Sequence, residues 1–175
     1  MIMKRIDAKV EDRSVVIPAR EAAIEAKSSG KGMERIFCGA ALELKDGTIV
    51  TGKNSPLMHA GSSLILNAVK KIAGLPDQLH LIPETVIASL AYLKKEVLNR
   101  RMISLDVDET LTALSISAIF NPATQIAVDK LKELRGCEVH LTHLPTSGDE
   151  AGFRKLGVNL TSDPFYSSKR LFVYK

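Results

Sequence analysis

Along the chain, stretches with apolar residues at helical spacing alternate with short apolar runs of strand type. The first helical stretch runs from Ile17 to Lys27. Pro18 falls in its first turn, and Ala19, Ala22, Ala23 and Ala26 give it a small-residue face. Ser28-Ser29-Gly30-Lys31-Gly32 follows as the one linker-like segment, so 14–32 reads as a first helix with its linker. Ile36 to Leu44 and Thr48 to Thr51 then read as two strands joined across Lys45-Asp46-Gly47. Asp-Gly between apolar runs is a strong hairpin signal, because both residues tolerate the positive φ of a tight turn.

Helical spacing returns from Pro56 to Ala73 and is stopped by Gly74, with Pro76 beyond it. Leu64, Ile65, Ala68, Val69 and Ile72 fall on one side of this helix; His59, Ser62, Ser63, Asn67 and Lys70 fall on the other. Leu79 to Ile82 reads as a short strand, Pro83-Glu84 opens a helix to Leu98, and Met102 to Val107 reads as a buried strand leading into a helix through Ile119. Asn121 caps a further helix with Pro122 at its first position, ending at Arg135 before Gly136. Cys137 to Thr142 is strand-like, Ser147 with Glu150 forms a capping box for a helix ending at Gly157, Val158 to Thr161 is a strand, and 170–175 is a C-terminal one. Strands separated by helices of this length imply crossover connections. The expected class is α/β: a three-layer α/β/α sandwich with a mixed, mostly parallel sheet and an N-terminal hairpin, in a single domain over 1–175.

Composition narrows the function classes. The 175 residues are 45% hydrophobic and 25% charged, which excludes collagenous and disordered readings. The net charge of +4 comes from scattered or paired cations such as Lys70-Lys71, Lys94-Lys95 and Arg100-Arg101, not from a stripe with interleaved aromatics. No nucleic-acid partner is expected. Lys94-Lys95 falls near a helix end, where cations complement the dipole, and reads as solvated. No apolar run approaches membrane-spanning length and MIMKRIDAKVEDR lacks a signal-peptide core, so neither a membrane partner nor export is expected. The chain reads as cytoplasmic, with reduced thiols at Cys38 and Cys137; these lie too far apart for a two-cysteine knuckle.

Cys38 to Glu43, Gly52-Lys53-Asn54 and His59-Ala60 together resemble the first half of the cytidine deaminase-like superfamily. In that superfamily the helix after the hairpin opens with His-Ala-Glu or Cys-Ala-Glu; the first residue binds zinc and the Glu relays the proton. Here Gly61 stands in the place of the Glu. The second half supplies Pro-Cys-x-x-Cys at a later helix opening, and the resemblance sets Pro83, Glu84 and Ile87 against it. One ligand of three remains, so a zinc-free scaffold is expected, with no metal and no cofactor.

A second pattern is the apolar run Met102 to Leu111, carrying Asp106-x-Asp108-x-Thr110. It looks like the first motif of haloacid dehalogenase-type phosphotransferases, with Thr142 and Lys155 standing for later motifs and Asp163 alone for the last. The alternative function is a magnesium-dependent phosphatase using Asp106 and Asp108. The bland alternative is that both aspartates cap the following helix. His140 and His143, three apart on a strand, point to opposite faces, which argues against a shared metal. His143 nonetheless ends a strand, where open α/β sheets hold ligands. The carboxylates in Gly148-Asp149-Glu150 favour a neutral or cationic ligand over phosphate at that helix start.

The runs Asp46 to Ala60, Leu131 to Glu138 and Gly148 to Asp163 resemble the bacterial uncharacterised protein family 0371, also called domain of unknown function 1846. The likeness extends from Asp12 to Val173 and covers the C-terminal third of a full member. It implies a deaminase-like topology and no established activity. It also implies an excised domain or short gene product, with the N-terminal part of the family as a partner. The expected ligand site is the polar stripe Asn54, Ser55, His59, Ser62, Ser63 and Asn67, joined by Thr142 and His143, taking a small polar molecule. A structural module that forms homo-oligomers is the remaining class.

Overall fold

The hairpin forms as its Asp-Gly pair predicts. Gly47 takes φ +84°, its N–H donates to the Leu44 carbonyl at 2.9 Å, and the Asp46 carboxylate accepts from the Thr48 N–H at 2.9 Å. The turn joins β1 (Gly39–Glu43) to β2 (Ile49–Lys53). The structure is a computed structural model and describes residues 9–167. The expected strand at 170–175 lies outside them.

The sheet has the order β2-β1-β3-β4, where β3 is Glu138–Leu141 and β4 is Asn159–Ser162. β1 is antiparallel to both neighbours, and only β3 and β4 run parallel. The class is therefore α/β with an open, mixed, four-stranded sheet, but one pairing in three is parallel, against the mostly parallel expectation. Two of the expected strands never join the ladder. Leu81 and Ile82 are buried, yet the Leu81 carbonyl is satisfied by the Thr124 hydroxyl at 2.7 Å and not by a neighbouring strand. Within Met102 to Val107 only Leu105 pairs, bridging to Met58. A buried apolar run needs hydrogen-bond partners but not a sheet to supply them.

Helices cover both faces of β1. α1 (Val16–Ser28) lies over the face carrying Ala41, with Val15 and Ala19 packed there. The small-residue face allows a very close approach: a Cβ added at Gly39 would collide with the Ala19 carbonyl and the Ala23 N–H. On the other face Ala40 and Leu42 share the main core with Leu64, Ile65, Ala68 and Val69 of α2 (Ala60–Ala73). Gly52 is needed for the same reason, since its Cβ would meet the α2 backbone at Leu64. α2 ends as predicted at Gly74 in the left-handed conformation. α3 (Glu84–Tyr92) continues into a π-helical turn at Leu93–Val97. Then come α4 (Val107–Ala118), α5 (Pro122–Lys130) and α6 (Ser147–Leu156).

Three local expectations are corrected. The capping box of α6 is Thr146 with Asp149, one residue earlier than Ser147 with Glu150, because Thr146 is the last extended residue (φ −71°, ψ 166°). Ser62 and Lys70 do not face solvent. The Ser62 hydroxyl donates to the Leu105 carbonyl at 2.8 Å, and Lys70 Nζ donates to the Asp77 carbonyl at 2.6 Å. Lys94 is likewise buried, with Nζ 2.6 Å from the Ser104 carbonyl and 2.7 Å from Glu109 Oε2. Segments that wrap back over these helix faces convert polar stripes into buried, paired groups.

Candidate functional site

The start of β1, the end of β2, the start of α2, the segment 100–106 and the β3–α6 connection meet around a cavity of about 450 Å³. His59 sits at its wall as the N-cap residue of α2, extended at ψ 158°. Its main-chain N–H donates to the Leu105 carbonyl at 2.9 Å, which pins the start of α2 to the segment that leads into α4.

Nδ1 of His59 lies 2.8 Å from Oδ2 of Asp149, whose side chain is 1% exposed. The same carboxylate accepts the Thr146 hydroxyl at 2.8 Å through Oδ2 and the Val107 N–H at 3.1 Å through Oδ1. Burial alone would raise the Asp149 pKa, but the hydrogen bonds from His59, Thr146 and Val107, with the charge of His59, hold it below the usual carboxylate range. An ionised Asp149 can only accept, so Nδ1 of His59 carries a proton and donates it to the carboxylate. A histidine oriented by a buried carboxylate is the arrangement that suits general acid–base work.

Among the described residues no activated thiol accompanies it. Cys38 lines the cavity, but burial and the nearby Asp149 charge push its thiol up to about 11, so it stays protonated at neutral pH. His143 also lines the cavity, 4% exposed, with Nδ1 lacking a partner among the described residues; burial drives its pKa down to about 4 and keeps it neutral. Ser104 is there too, 2% exposed, its hydroxyl without a partner among the described residues.

The remaining members of the expected site divide among four places. Asn54 lines the cavity but clamps the backbone, accepting from the Cys38 N–H at 2.8 Å and donating to the Ile36 carbonyl at 2.9 Å. Ser55 lines it while its hydroxyl accepts from the Met58 N–H at 3.1 Å. Ser63 and Asn67 border a second cavity beside Gly30 and Lys31, and Asn67 donates to the Thr51 carbonyl. Ser62 points into the core, and the Thr142 hydroxyl accepts from the Gly39 N–H at 2.9 Å within the sheet. His59 and His143 are brought together; Thr142, Ser62 and Asn67 are not.

The phosphatase constellation does not gather either. Asp106 reaches the cavity wall, where it caps α4 through the Glu109 N–H at 2.9 Å and packs against Gly148. Burial raises its pKa. Asp108 faces the other way, ion-paired with Lys155 at 2.6 Å on the surface, and Thr142 is committed to β1. Among the described residues no group of three His, Cys, Asp or Glu is arranged to hold a metal ion.

Sequence reasoning missed Thr146 and Asp149 as site residues, along with Lys94, Arg100, Arg101 and Ser104. The first pair carried a signal, the spacing Thr-x-x-Asp of a capping box, one residue out of the register read. The others carried none, since their placement depends on how 94–106 folds back against the start of α4.

Fold and site define an α/β protein with a cavity at the helix-opening end of a four-stranded mixed sheet, centred on an aspartate-held histidine. Among the described residues no helix is long and apolar enough to cross a membrane. Residues 11–172 match the family described as domain of unknown function DUF1846, C-terminal, and the chain belongs to that family. It is 44% identical over 172 residues to a UPF0371 protein of Clostridioides difficile (strain 630), covering 98% of this chain and 34% of the relative. The same identity and coverage hold for a UPF0371 protein from the Alaska strain of Clostridium botulinum. The chain thus spans about a third of the length of these bacterial relatives, and their family name carries no activity.

Proposed function

We propose that this chain is a deaminase-like domain in which a hydrogen-bonded cluster replaces the metal, and that its cavity binds a small polar ligand. The observation that carries the reading is the contact of Asp149 with both His59 and Thr146. After the hairpin and α2, the next paired strand is β3, and the helix after it opens with Pro145-Thr146-Ser147-Gly148-Asp149. That spacing sets Thr146 and Asp149 against the two thiolates of Pro-Cys-x-x-Cys, with residues 74–137 as an insertion. The correspondence with Pro83, Glu84 and Ile87 lapses, because Glu84 is exposed and neither it nor Ile87 lines the His59 cavity. Helices on both faces of β1 accord with the three-layer arrangement.

This donor set does not fit zinc. The threonine hydroxyl is a weak neutral ligand, both Asp149 oxygens are occupied by protein donors, and His59 donates to the carboxylate. Nor is there room for the relay carboxylate. A Cβ at Gly61 would lie 2.9 Å from Phe153 Cε2 and 3.0 Å from Val107 Cγ2. No deamination step follows from these residues. Crystals soaked with small polar fragments test the reading: density beside His59, lost in His59→Ala, supports it. Fragments confined to the cavity beside Asn67, or one tightly bound zinc per chain that is lost in His59→Ala, overturn it.

A second reading rests on the exposed end of α4, where Ile119 and Phe120 are 73% and 83% exposed next to Ile116. This apolar end is the surface that docks the rest of the longer family polypeptide. Weakened association with that polypeptide in Phe120→Ser is the expected result, and unchanged association rejects it.

A further inference from the structure

Resting on the ligand-binding reading of the His59 cavity, we infer that its ligand carries an anionic group, a carboxylate or phosphate, seated at the open N-terminus of α2 beneath Arg100 and Arg101. α2 is long enough, from Ala60 to Ala73, to present a full terminal dipole, and no side chain caps it. Of the two hydroxyls in its first turn, that of Ser62 is spent on the Leu105 carbonyl, and the N–H groups of Ala60 and Gly61 take no acceptor among the described residues.

The second observation is independent of the helix. Ser104 and His143 line the cavity, and Ser104 Oγ and His143 Nδ1 are buried and without partners among the described residues, an arrangement with a cost that a bound polar group removes. The hydroxyl of Ser104 is free to donate to an anion. Arg100 and Arg101 line the same cavity and, unlike Lys94, their side chains make no ion pair or hydrogen bond among the described residues. The opposing carboxylate at the wall, Asp106, is already engaged as the α4 cap and is made easier to protonate by burial. Glu34 also reaches the lining, so the balance is met by two unpaired guanidinium groups against it. Met58 and Met102 add an apolar surface for the body of the ligand.

Matched ring compounds test this: benzoate and phenyl phosphate as anions, benzyl alcohol as the neutral analogue and benzylamine as the cation, each titrated into the full chain by amide NMR. The expected result is that the anions shift the Ala60, Gly61 and Ser104 amides. They should bind at least tenfold tighter than the alcohol or the amine, and lose that margin in Arg100→Gln/Arg101→Gln. These positions are exposed, so the double variant keeps the fold. Equal or tighter binding of the alcohol or amine at the same amides overturns the anionic group while leaving the cavity as the site. Shifts confined to residues 51–53, 63 and 67 overturn the cavity reading itself. Absence of binding by all four at millimolar concentration overturns the inference.

Discussion

His59 and Asp149 stand ninety residues apart in the chain and 2.8 Å apart in the fold, with the carboxylate almost fully enclosed. Asp149→Asn keeps the shape but puts an amide N–H₂ where an acceptor served three donors. The expected cost is about 1–3 kcal/mol, read by urea unfolding. A change below a few tenths of a kcal/mol would mean that the pair is not formed in solution.

Thr146 Oγ1 and His59 Nδ1 each lie 2.8 Å from Asp149 Oδ2, which places His59 and two replacements at positions 146 and 149 around one ion. The double variant Thr146→Cys/Asp149→Cys is therefore expected to take up one zinc per chain. Zinc should raise its melting temperature and leave that of the parent chain unchanged. Mass spectrometry of the intact protein with and without zinc decides it.

Gly61 is needed for space and not for a turn. Gly61→Ala places a methyl 2.9 Å from the Phe153 ring, and Phe153 is 1% exposed with little freedom to move. A loss of about 1–3 kcal/mol is expected from overpacking. A neutral or stabilising effect would show that α6 can retreat from α2, and that a longer side chain could be accommodated at this position.

Acidification acts through His143. Its folded pKa of about 4 lies below the ordinary 6.5, so between these values the unfolded chain binds a proton that the folded chain refuses. Stability contributed by the neutral ring is complete above pH 6.5 and is lost as the pH falls toward 4. His140, which burial also pushes down against the raising effect of Asp163, adds in the same direction. The combined loss should be at least about 2 kcal/mol across that window. His143→Leu should flatten the curve; an identical pH dependence in the variant would rule His143 out as its source.

The sequence by itself determined the local geometry. Asp46-Gly47, Gly74 at the end of α2 and Asn121-Pro122 each set backbone angles through their own chemistry, and each held in the fold. The small-residue face of α1 likewise foretold a close helix–sheet contact. Tertiary structure decided what depended on distant neighbours. Whether Leu79–Ile82 and Met102–Val107 were strands turned on whether another strand was alongside, and a hydroxyl and a single bridge took that place. Lys94 and Ser62 were polar residues at helical spacing, and only the segments folded over them made them buried. The site followed the same division. His59 was legible from the hairpin that precedes it, whereas Asp149 became its partner only because the β3–α6 connection brings that helix start against α2. A periodic pattern reports which face of an element is apolar; it does not report what comes to cover the other.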